Sequence, residues 1–204
     1  MFLLISCCMV ALLVSCSSHN SGEQVQAPLQ PVNCIVVLPA TTSVDTEGTI
    51  NYDEARSLEK GAAYATFVIE GELDGRENVR ILTSNQLSTL VPEISGGLTG
   101  TAAALGTKLN CDAILSTTVR EFKEREGSEY ASESPATVEF SMVLMHAASG
   151  RTLWYGDYQE AQQSFLSNIF SVDNIKKRGF KWVTAEQLME QAIKERLAES
   201  PYLQ

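Results

Sequence analysis

The chain has 204 residues, of which 44% are hydrophobic and 20% charged, and its formal net charge at pH 7 is −10. This length suits one ordinary domain behind a short leader. The acidic balance argues against a nucleic-acid partner, because contacts to the phosphate backbone require clustered Lys and Arg.

An apolar run opens the chain. Residues 1–15 carry no charged side chain, and the run is too short for a comfortable membrane-spanning helix but typical of a secretory signal. It ends in Leu13-Val14-Ser15-Cys16, which resembles the lipobox of bacterial lipoproteins, where the cysteine thiol is joined to diacylglycerol and the preceding peptide is removed. Leu4-Ile5-Ser6-Cys7 fits the same pattern but would leave an apolar segment after the cut, so Cys16 is favoured.

A plain signal peptide and an uncut membrane anchor are the alternatives, and the positive residues that usually precede a signal are missing here. Lipidation at Cys16, with acyl chains such as palmitate, is favoured because the lipobox, the run length and the following linker agree. In lipoproteins of double-membraned bacteria, a residue such as Ser17 after the cysteine implies the outer membrane, with the body facing the periplasm. Residues 16–31 are polar and predict a lipidated, flexible tether before a body at 32–204.

The first half of the body alternates predicted strands and helices. Ile35–Leu38 is a continuous apolar run that ends at Pro39 and predicts a buried strand. Asn51 and Glu54 form a helix-start pattern. Apolar residues then recur at helical spacing: Ala55, Leu58, Ala62, Ala65, Ile69 and Leu73. Val79–Leu82 predicts the second strand, and SNQLSTL predicts a short helix that stops before Pro92.

The stretch GGLTGTAAALGTK, residues 96–108, has the glycines of a phosphate-binding loop but not their spacing. Such a loop needs Gly, four residues and Gly-Lys-Ser/Thr after a strand, whereas Thr107 stands before Lys108 here. A helix is favoured instead, with one apolar face made by Leu98, Ala102, Leu105 and Leu109. Asn110 would end it, and Ala113–Val119 predicts the third strand.

The second half predicts a hairpin and a helix. Residues 121–136 are charged and predict a flexible connection, in which Glu121 and Glu124 are given no catalytic role. Residues 137–148 alternate in polarity, Ser149-Gly150 predicts a turn, and residues 151–158 predict the returning strand. Thr184 and Gln187 form a capping box for a last helix, with Val183 against Leu188 as a hydrophobic staple and Pro201 as the stop.

These elements predict an α/β fold in a single domain. Its mixed sheet has a parallel β-α-β-α-β half and an antiparallel hairpin, with helices packed on the sheet. Right-handed crossovers would place the first strand between the second and the third.

Three segments, CIVVLPA, LGTKLNCDAILSTTVREF and VEFSMVLMHAASGRTLWYGDYQE, resemble the TolB amino-terminal-like superfamily. That superfamily includes the periplasmic part of the curli secretion lipoprotein and the lipoprotein activator of penicillin-binding proteins. The resemblance covers roughly residues 33–160 and implies an envelope lipoprotein fold rather than an activity. The turn at residues 145–148 departs from the family pattern, and no amphipathic membrane hairpins are evident between residues 39 and 97, so a pore is not expected.

Two of the five cysteines, Cys34 and Cys111, remain in the body after lipidation of Cys16. Each stands at the head of a similar apolar run, and the two sulfurs would meet if those strands were neighbours in the same register. Since adjacent parallel strands rarely give good disulfide geometry, free thiols are favoured over a disulfide.

No catalytic, metal or cofactor site is predicted, and the protein is expected not to be an enzyme. His146 is the only histidine of the body and is expected to be a satisfied or rim residue. One His and two separated Cys are too few ligands for zinc.

A basic and aromatic segment is the candidate partner surface, formed by Phe165, Phe170, Lys176, Lys177, Arg178, Lys181 and Trp182. The duller alternative, that the aromatics cover the sheet while the lysines stay in water, is favoured. The predicted function is a periplasmic adaptor or assembly factor for an envelope complex. The alternative is a module that binds a small molecule or peptidoglycan at the carboxyl ends of the parallel strands.

Overall fold

A mixed sheet joins a parallel and an antiparallel half in the computed structural model, which describes residues 30–43, 51–91, 96–127, 132–161 and 183–204. Contacts divide the chain into Met1–Gln30 and Pro31–Gln204, and the fold is that of the second unit. The described strands are β1 (Ile35–Val37), β2 (Thr41–Thr42), β3 (Val79–Ile81), β4 (Ala113–Lys123), β5 (Glu126–Gly127), β6 (Ser132–Ser134), β7 (Thr137–His146) and β8 (Thr152–Ala161). The described helices are α1 (Tyr52–Leu73), α2 (Ser84–Leu90), α3 (Gly97–Leu109) and α4 (Ala185–Glu199).

The strand order is β3-β1-β4-β7-β8, and β2 also pairs with β4. β1 is parallel to both β3 and β4, whereas β7 is antiparallel to β4 and β8. The α/β class, the mixed sheet and the central place of the first strand are therefore confirmed. β2 is not predicted by the sequence, because two exposed threonines after a proline carry no apolar signal.

Side-chain caps fix the helix starts where the sequence predicts them. Asn51 Oδ1 accepts a hydrogen bond from Glu54 N–H at 2.8 Å. Thr184 and Gln187 form the predicted reciprocal capping box of α4. Asn110 takes the left-handed conformation (φ 53°) at the end of α3, which lets the chain turn directly into β4.

The stretch 96–108 forms α3 and its entry, as predicted. Ala102 and Leu105 are fully buried, so this helix packs through its apolar face. Gly106 lies where a Cβ would collide with the side chain of Ala147, which indicates that this glycine allows close packing. The glycines and apolar residues of this segment therefore serve the packing of α3 against the sheet.

Two apolar clusters cover the two faces of the sheet. Ile35 and Val37 belong to the cluster that contains the buried residues of α1 and α4. Val36, between them, belongs to the cluster that contains Ala102 and Leu105 of α3. Because successive residues of a strand point to opposite faces, α1 and α4 lie on one face and α3 on the other.

The prediction of a flexible connection over residues 121–136 is wrong in the described part. β4 continues to Lys123 and pairs with β7 along its whole length, with a register shift between Val119 and Glu121. Phe122 is only 1% exposed, and β5 pairs with β6 in a second, two-stranded sheet. The sequence did not reveal this strand, because charged residues occupy its exposed face, although its other face is buried.

The preference for free thiols is also wrong, since Cys34 and Cys111 form a disulfide with Cα atoms 4.6 Å apart. The register pairs Ile35 with Ala113, so the two cysteines are diagonal neighbours ahead of the strands rather than directly opposed within them. Asp112 strengthens this junction, because its Oδ2 accepts from Asn33 N–H at 2.7 Å. The two apolar runs are offset by one residue, and the two sulfurs meet ahead of the paired positions of the strands.

Candidate binding groove

A groove of about 600 Å³ lies beside β2, beyond the carboxyl end of β1, and we call it the β2 groove. Its volume falls within the range of small-ligand sites in proteins. The lining comes from the β1–β2 segment, from α1 and from the first residue of α2: Pro39, Ala40, Thr41, Thr42, Glu59, Ala62, Ala63, Thr66 and Ser84. The groove lies at the edge of the sheet where open α/β sheets usually bind ligands.

Pro39 and Thr66 shape the strand side of the groove. Pro39 has no N–H, so it interrupts the ladder between β1 and β2. The next N–H, that of Ala40, donates instead to Thr66 Oγ1 on α1 at 2.9 Å. The Thr66 hydroxyl in turn donates to Ala62 O at 2.9 Å. A helix side chain thus holds the strand at its break.

The early end of β3 leaves the space. Leu82 N–H donates to Val37 O at 3.0 Å, one residue beyond the last paired position of β3. Thr83 then caps α2, where its N–H donates to Gln86 Oε1 at 2.9 Å and its Oγ1 accepts from Gln86 N–H at 3.3 Å. The chain therefore leaves the sheet before it can run beside β2.

Thr42 presents backbone groups to the groove. Ser43 N–H donates to Val119 O on β4 at 3.0 Å. Because N–H and C=O groups alternate between the two edges of a strand, those of Thr42 point to the edge away from β4. Thr42 also lines the groove. The β2 groove thus offers a backbone donor and a backbone acceptor.

Among the described residues that line the groove, Glu59 is the only charged one. Among the described residues, its carboxylate makes none of the ion pairs found in the structure. Ala62 and Ala63 provide a small apolar surface beside it, and hydroxyl groups complete the lining. This chemistry suits a polar ligand that carries a positive charge.

Ion pairs hold α1, the helical side of the groove, against α4. Lys60 Nζ lies 2.9 Å from a Glu186 oxygen and 3.7 Å from a Glu124 oxygen. The hydrogen bond with Glu186 raises the pKa of Lys60, although burial opposes the rise. Glu124 Oε2 also accepts from Ala185 N–H at 3.1 Å, so this residue of the predicted flexible connection caps α4.

A second set of contacts joins the same helices further along. Tyr64 OH donates to Glu190 Oε2 at 3.4 Å, and Lys194 lies 2.8 Å from Glu190 and 3.4 Å from Glu72. Burial, followed by the charge of Glu190, raises the pKa of Tyr64. The hydrogen bond from Lys194 lowers the pKa of Glu190. These contacts join α1 to α4 at the surface, above the apolar core that the two helices share.

Most residues of the predicted sites lie outside the described residues. They are Cys16 and the partner surface Phe165, Phe170, Lys176, Lys177, Arg178, Lys181 and Trp182. His146 is described: it is half-buried, and its Nδ1 accepts from Ser149 N–H at 3.2 Å, so it is a satisfied rim histidine as expected. Glu121 pairs with Lys123 at 2.7 Å.

The β2 groove was not predicted residue by residue, although its place at the carboxyl ends of the parallel strands was considered. The only signal in the sequence is Pro39 followed by small and hydroxyl residues. Within the described ranges, no three His, Cys, Asp or Glu side chains come together as metal ligands. No helix of those ranges has the length and apolar character of a membrane span.

No protein-family model matches the chain, and no curated protein matches it. Among solved structures, the chain is similar to the PelC dodecamer from Paraburkholderia phytofirmans, with 14% identity, a TM-score of 0.41, and 81% of this chain and 85% of that chain covered. It is similar to the LpoB C-terminal domain from Escherichia coli, with 18% identity, a TM-score of 0.40, and coverage of 64% and 84%. It is also similar to lipoprotein GNA1162 from Neisseria meningitidis, with 14% identity, a TM-score of 0.41, and coverage of 74% and 99%. The TolB and curli-secretion names of the sequence resemblance are not confirmed by these matches.

Proposed function

We propose that this chain is a non-enzymatic lipoprotein of the bacterial envelope, whose body binds a partner protein as an adaptor or assembly factor. The order of features along the chain carries the proposal. A sequence that resembles a lipobox and ends at Cys16 precedes a polar segment, which leads into an α/β body with an open groove. A tethered body of this kind brings its partner close to the membrane that holds the lipid.

The proposed location is the outer membrane, with the body in the periplasm. Ser17 supports outer-membrane sorting by resemblance to other lipoproteins. The Cys34–Cys111 disulfide supports an oxidising compartment, because disulfides rarely persist in the cytosol.

Labelling of cells with an alkyne analogue of palmitate tests the anchor. We expect label on the wild-type chain and on Cys7→Ala, and loss of label with Cys16→Ala. Membrane fractionation should then place the wild-type chain in the outer membrane and release Cys16→Ala from it. Label that survives Cys16→Ala would contradict the anchor.

The basic and aromatic segment is the proposed partner surface, and it is tested separately. Charge reversal at Lys176, Lys177 and Arg178 should weaken cross-linking to the envelope partner, because it removes the basic cluster of an acidic chain. Cross-linked partners that stay unchanged in this variant would remove the segment from the proposal.

A second candidate function is the binding of a small molecule or a peptidoglycan fragment. The position and volume of the β2 groove favour it. Purified muropeptides should raise the melting temperature of the wild-type chain, and Ala63→Phe should abolish the rise because it fills the groove. An equal rise in Ala63→Phe would place the ligand elsewhere.

A further inference from the structure

We propose that the β2 groove binds an extended peptide segment of a partner protein, which pairs with Thr42 as an added strand and places a lysine or arginine beside Glu59. The proposal rests on the proposed adaptor function, and it names the chemistry of the partner.

The sheet leaves an open strand position beside β2. β3 pairs with β1 from Val79 to Ile81, and Leu82 N–H adds one further backbone hydrogen bond, to Val37 O. β2 continues along β4, with Thr41 opposite Thr118 and Thr42 opposite Val119. In the described part of the chain, the position that a longer β3 would occupy beside β2 holds no strand, and the β2 groove lies there.

The backbone of the β1–β2 segment faces this open position. Pro39 offers no N–H, and Ala40 N–H already donates to Thr66. Thr42 is therefore the residue whose N–H and C=O both remain for a partner in the described structure. An unpaired strand edge is a template for an added strand, and peptides bound in this way gain affinity from main-chain hydrogen bonds.

Small side chains on α1 leave room for an extended chain in the groove. Ala62 and Ala63 have side chains small enough to let another backbone approach α1 and β2. Ordinary residues alternate in direction along an added strand, so one side chain in two would point toward the helix side of the groove. A groove flanked by a strand edge and small residues favours an extended peptide over a helix, whose diameter is about 10–12 Å.

The charge of the groove favours a positively charged peptide. Glu59 is the single charged residue among the described residues of the lining, and it belongs to a chain with a net charge of −10. A cation on the peptide is attracted by both, whereas an anion is repelled. The lining therefore favours a peptide with Lys or Arg over an acidic one.

Fluorescence anisotropy with the full-length chain in detergent tests the proposal. The probes are labelled six-residue peptides of alternating Val and Thr, with Lys at one position in turn, and a matched series with Glu at that position. We expect the best Lys peptide to bind about fivefold tighter than its Glu counterpart, as for an ion pair in contact with water. Methylation of the alternate backbone nitrogens that face β2 should weaken it about fivefold or more, because it removes a main-chain hydrogen bond.

Two variants make the assignment to the groove specific. Glu59→Lys should invert the preference, so that Glu peptides bind more tightly than Lys peptides. Thr42→Pro removes the proposed donor and should weaken the best peptide, and an edge position tolerates proline because its N–H is not in the ladder. Glu70→Gln, on the same helix but outside the groove lining, is the matched control and should leave binding unchanged. Melting curves check that each variant is folded.

Equal binding of methylated and unmethylated peptides, or a preference that Glu59→Lys leaves in place, would overturn the proposal. A concentration-dependent dimer that Thr42→Pro abolishes would give the groove to a second copy and would overturn it too. The assay does not depend on lipidation. Failed peptide binding with intact palmitate labelling and partner cross-linking would reject the peptide proposal alone, whereas lost labelling at Cys16 would reject the anchored adaptor.

Discussion

The parallel and antiparallel halves of the sheet differ in how completely their strands are paired. β4 and β7 are paired from Ala113 opposite His146 to Lys123 opposite Thr137, and β8 follows β7 along its ten residues. In the parallel half, β1 and β3 are each three residues long, and β2 has two. Parallel strands need crossover connections, which leave strand ends and loops at one edge of the sheet.

We expect this difference to separate residues that stabilise the fold from residues that bind a partner. The hairpin strands contribute fully buried side chains such as Phe140, Met142 and Leu144 to the core. The parallel half contributes the interrupted strand, the early end of β3 and the groove between them. We therefore expect substitutions in the hairpin to change the free energy of unfolding most, and substitutions at the β2 groove to change binding with small effects on stability.

The largest effect is expected in the hairpin. Phe140 is fully buried, and its ring stacks on Tyr158 with centroids 5.6 Å apart. Phe140→Ala should lower the free energy of unfolding in urea by about 4 kcal/mol, because it removes apolar contacts and leaves a cavity. Tyr155→Ala is the control on the neighbouring strand, since Tyr155 is 52% exposed and should cost well under 1 kcal/mol. Equal losses of stability in both variants would contradict the assignment of the stabilising core to the buried face of the hairpin.

The next effect is expected from the disulfide, which is the covalent tie of the parallel half. Cys34 and Cys111 are separated by 77 residues, so the bond restricts the unfolded chain strongly. Replacement of both by serine should lower the free energy of unfolding by about 3 kcal/mol. Reductant should destabilise the wild-type chain and leave the double variant unchanged. Two alkylatable thiols in the unreduced wild-type chain, detected by mass spectrometry, would contradict the bond itself.

A smaller effect is expected at the break between β1 and β2. Thr66→Val keeps the side-chain shape but removes the acceptor of Ala40 N–H, which lies 2.9 Å away. The loss should be about 1 kcal/mol, because a half-buried donor is left without its partner. Thr66→Ser retains the hydroxyl and should lose less. If valine were the more stable of the two, the hydroxyl would not be what holds the strand.

The sequence predicted the elements that rest on apolar periodicity and caps. The spacing from Leu58 to Leu73 and the Thr184–Gln187 box gave α1 and α4 nearly to the residue. It could not predict β2, which pairs with β4 and follows Ala40, whose N–H is held by the Thr66 hydroxyl 26 residues further along the chain. The extension of β4 to Lys123 was hidden for a similar reason, since pairing with β7 decides it.

The groove and the disulfide were harder to predict than the fold. Glu59 is one of many acidic residues on α1, and only the end of β3 and the break at Pro39 make it part of a groove. The disulfide depends on a register offset of one residue between two similar apolar runs. Both are consequences of how separate segments meet, which spacing within one segment does not encode.

The smallest effect is expected at the ion pairs of Lys60, which connect α1 to Glu124, just after β4, and to Glu186 on α4. Lys60 contacts Glu186 and Glu124, and its side chain is 55% exposed, so Lys60→Met should cost only about 0.5 kcal/mol at pH 8. The pKa of Lys60 is raised in the folded chain, chiefly by its hydrogen bond to Glu186. Its contribution is therefore fully present below pH 10.5, the usual lysine value, and is lost as the pH rises through the folded pKa. Urea unfolding of both chains from pH 8 to 11 should show a constant difference in the free energy of unfolding that shrinks above pH 10.5. A difference that stays constant up to pH 11 would assign the effect of Lys60→Met to side-chain packing rather than to charge.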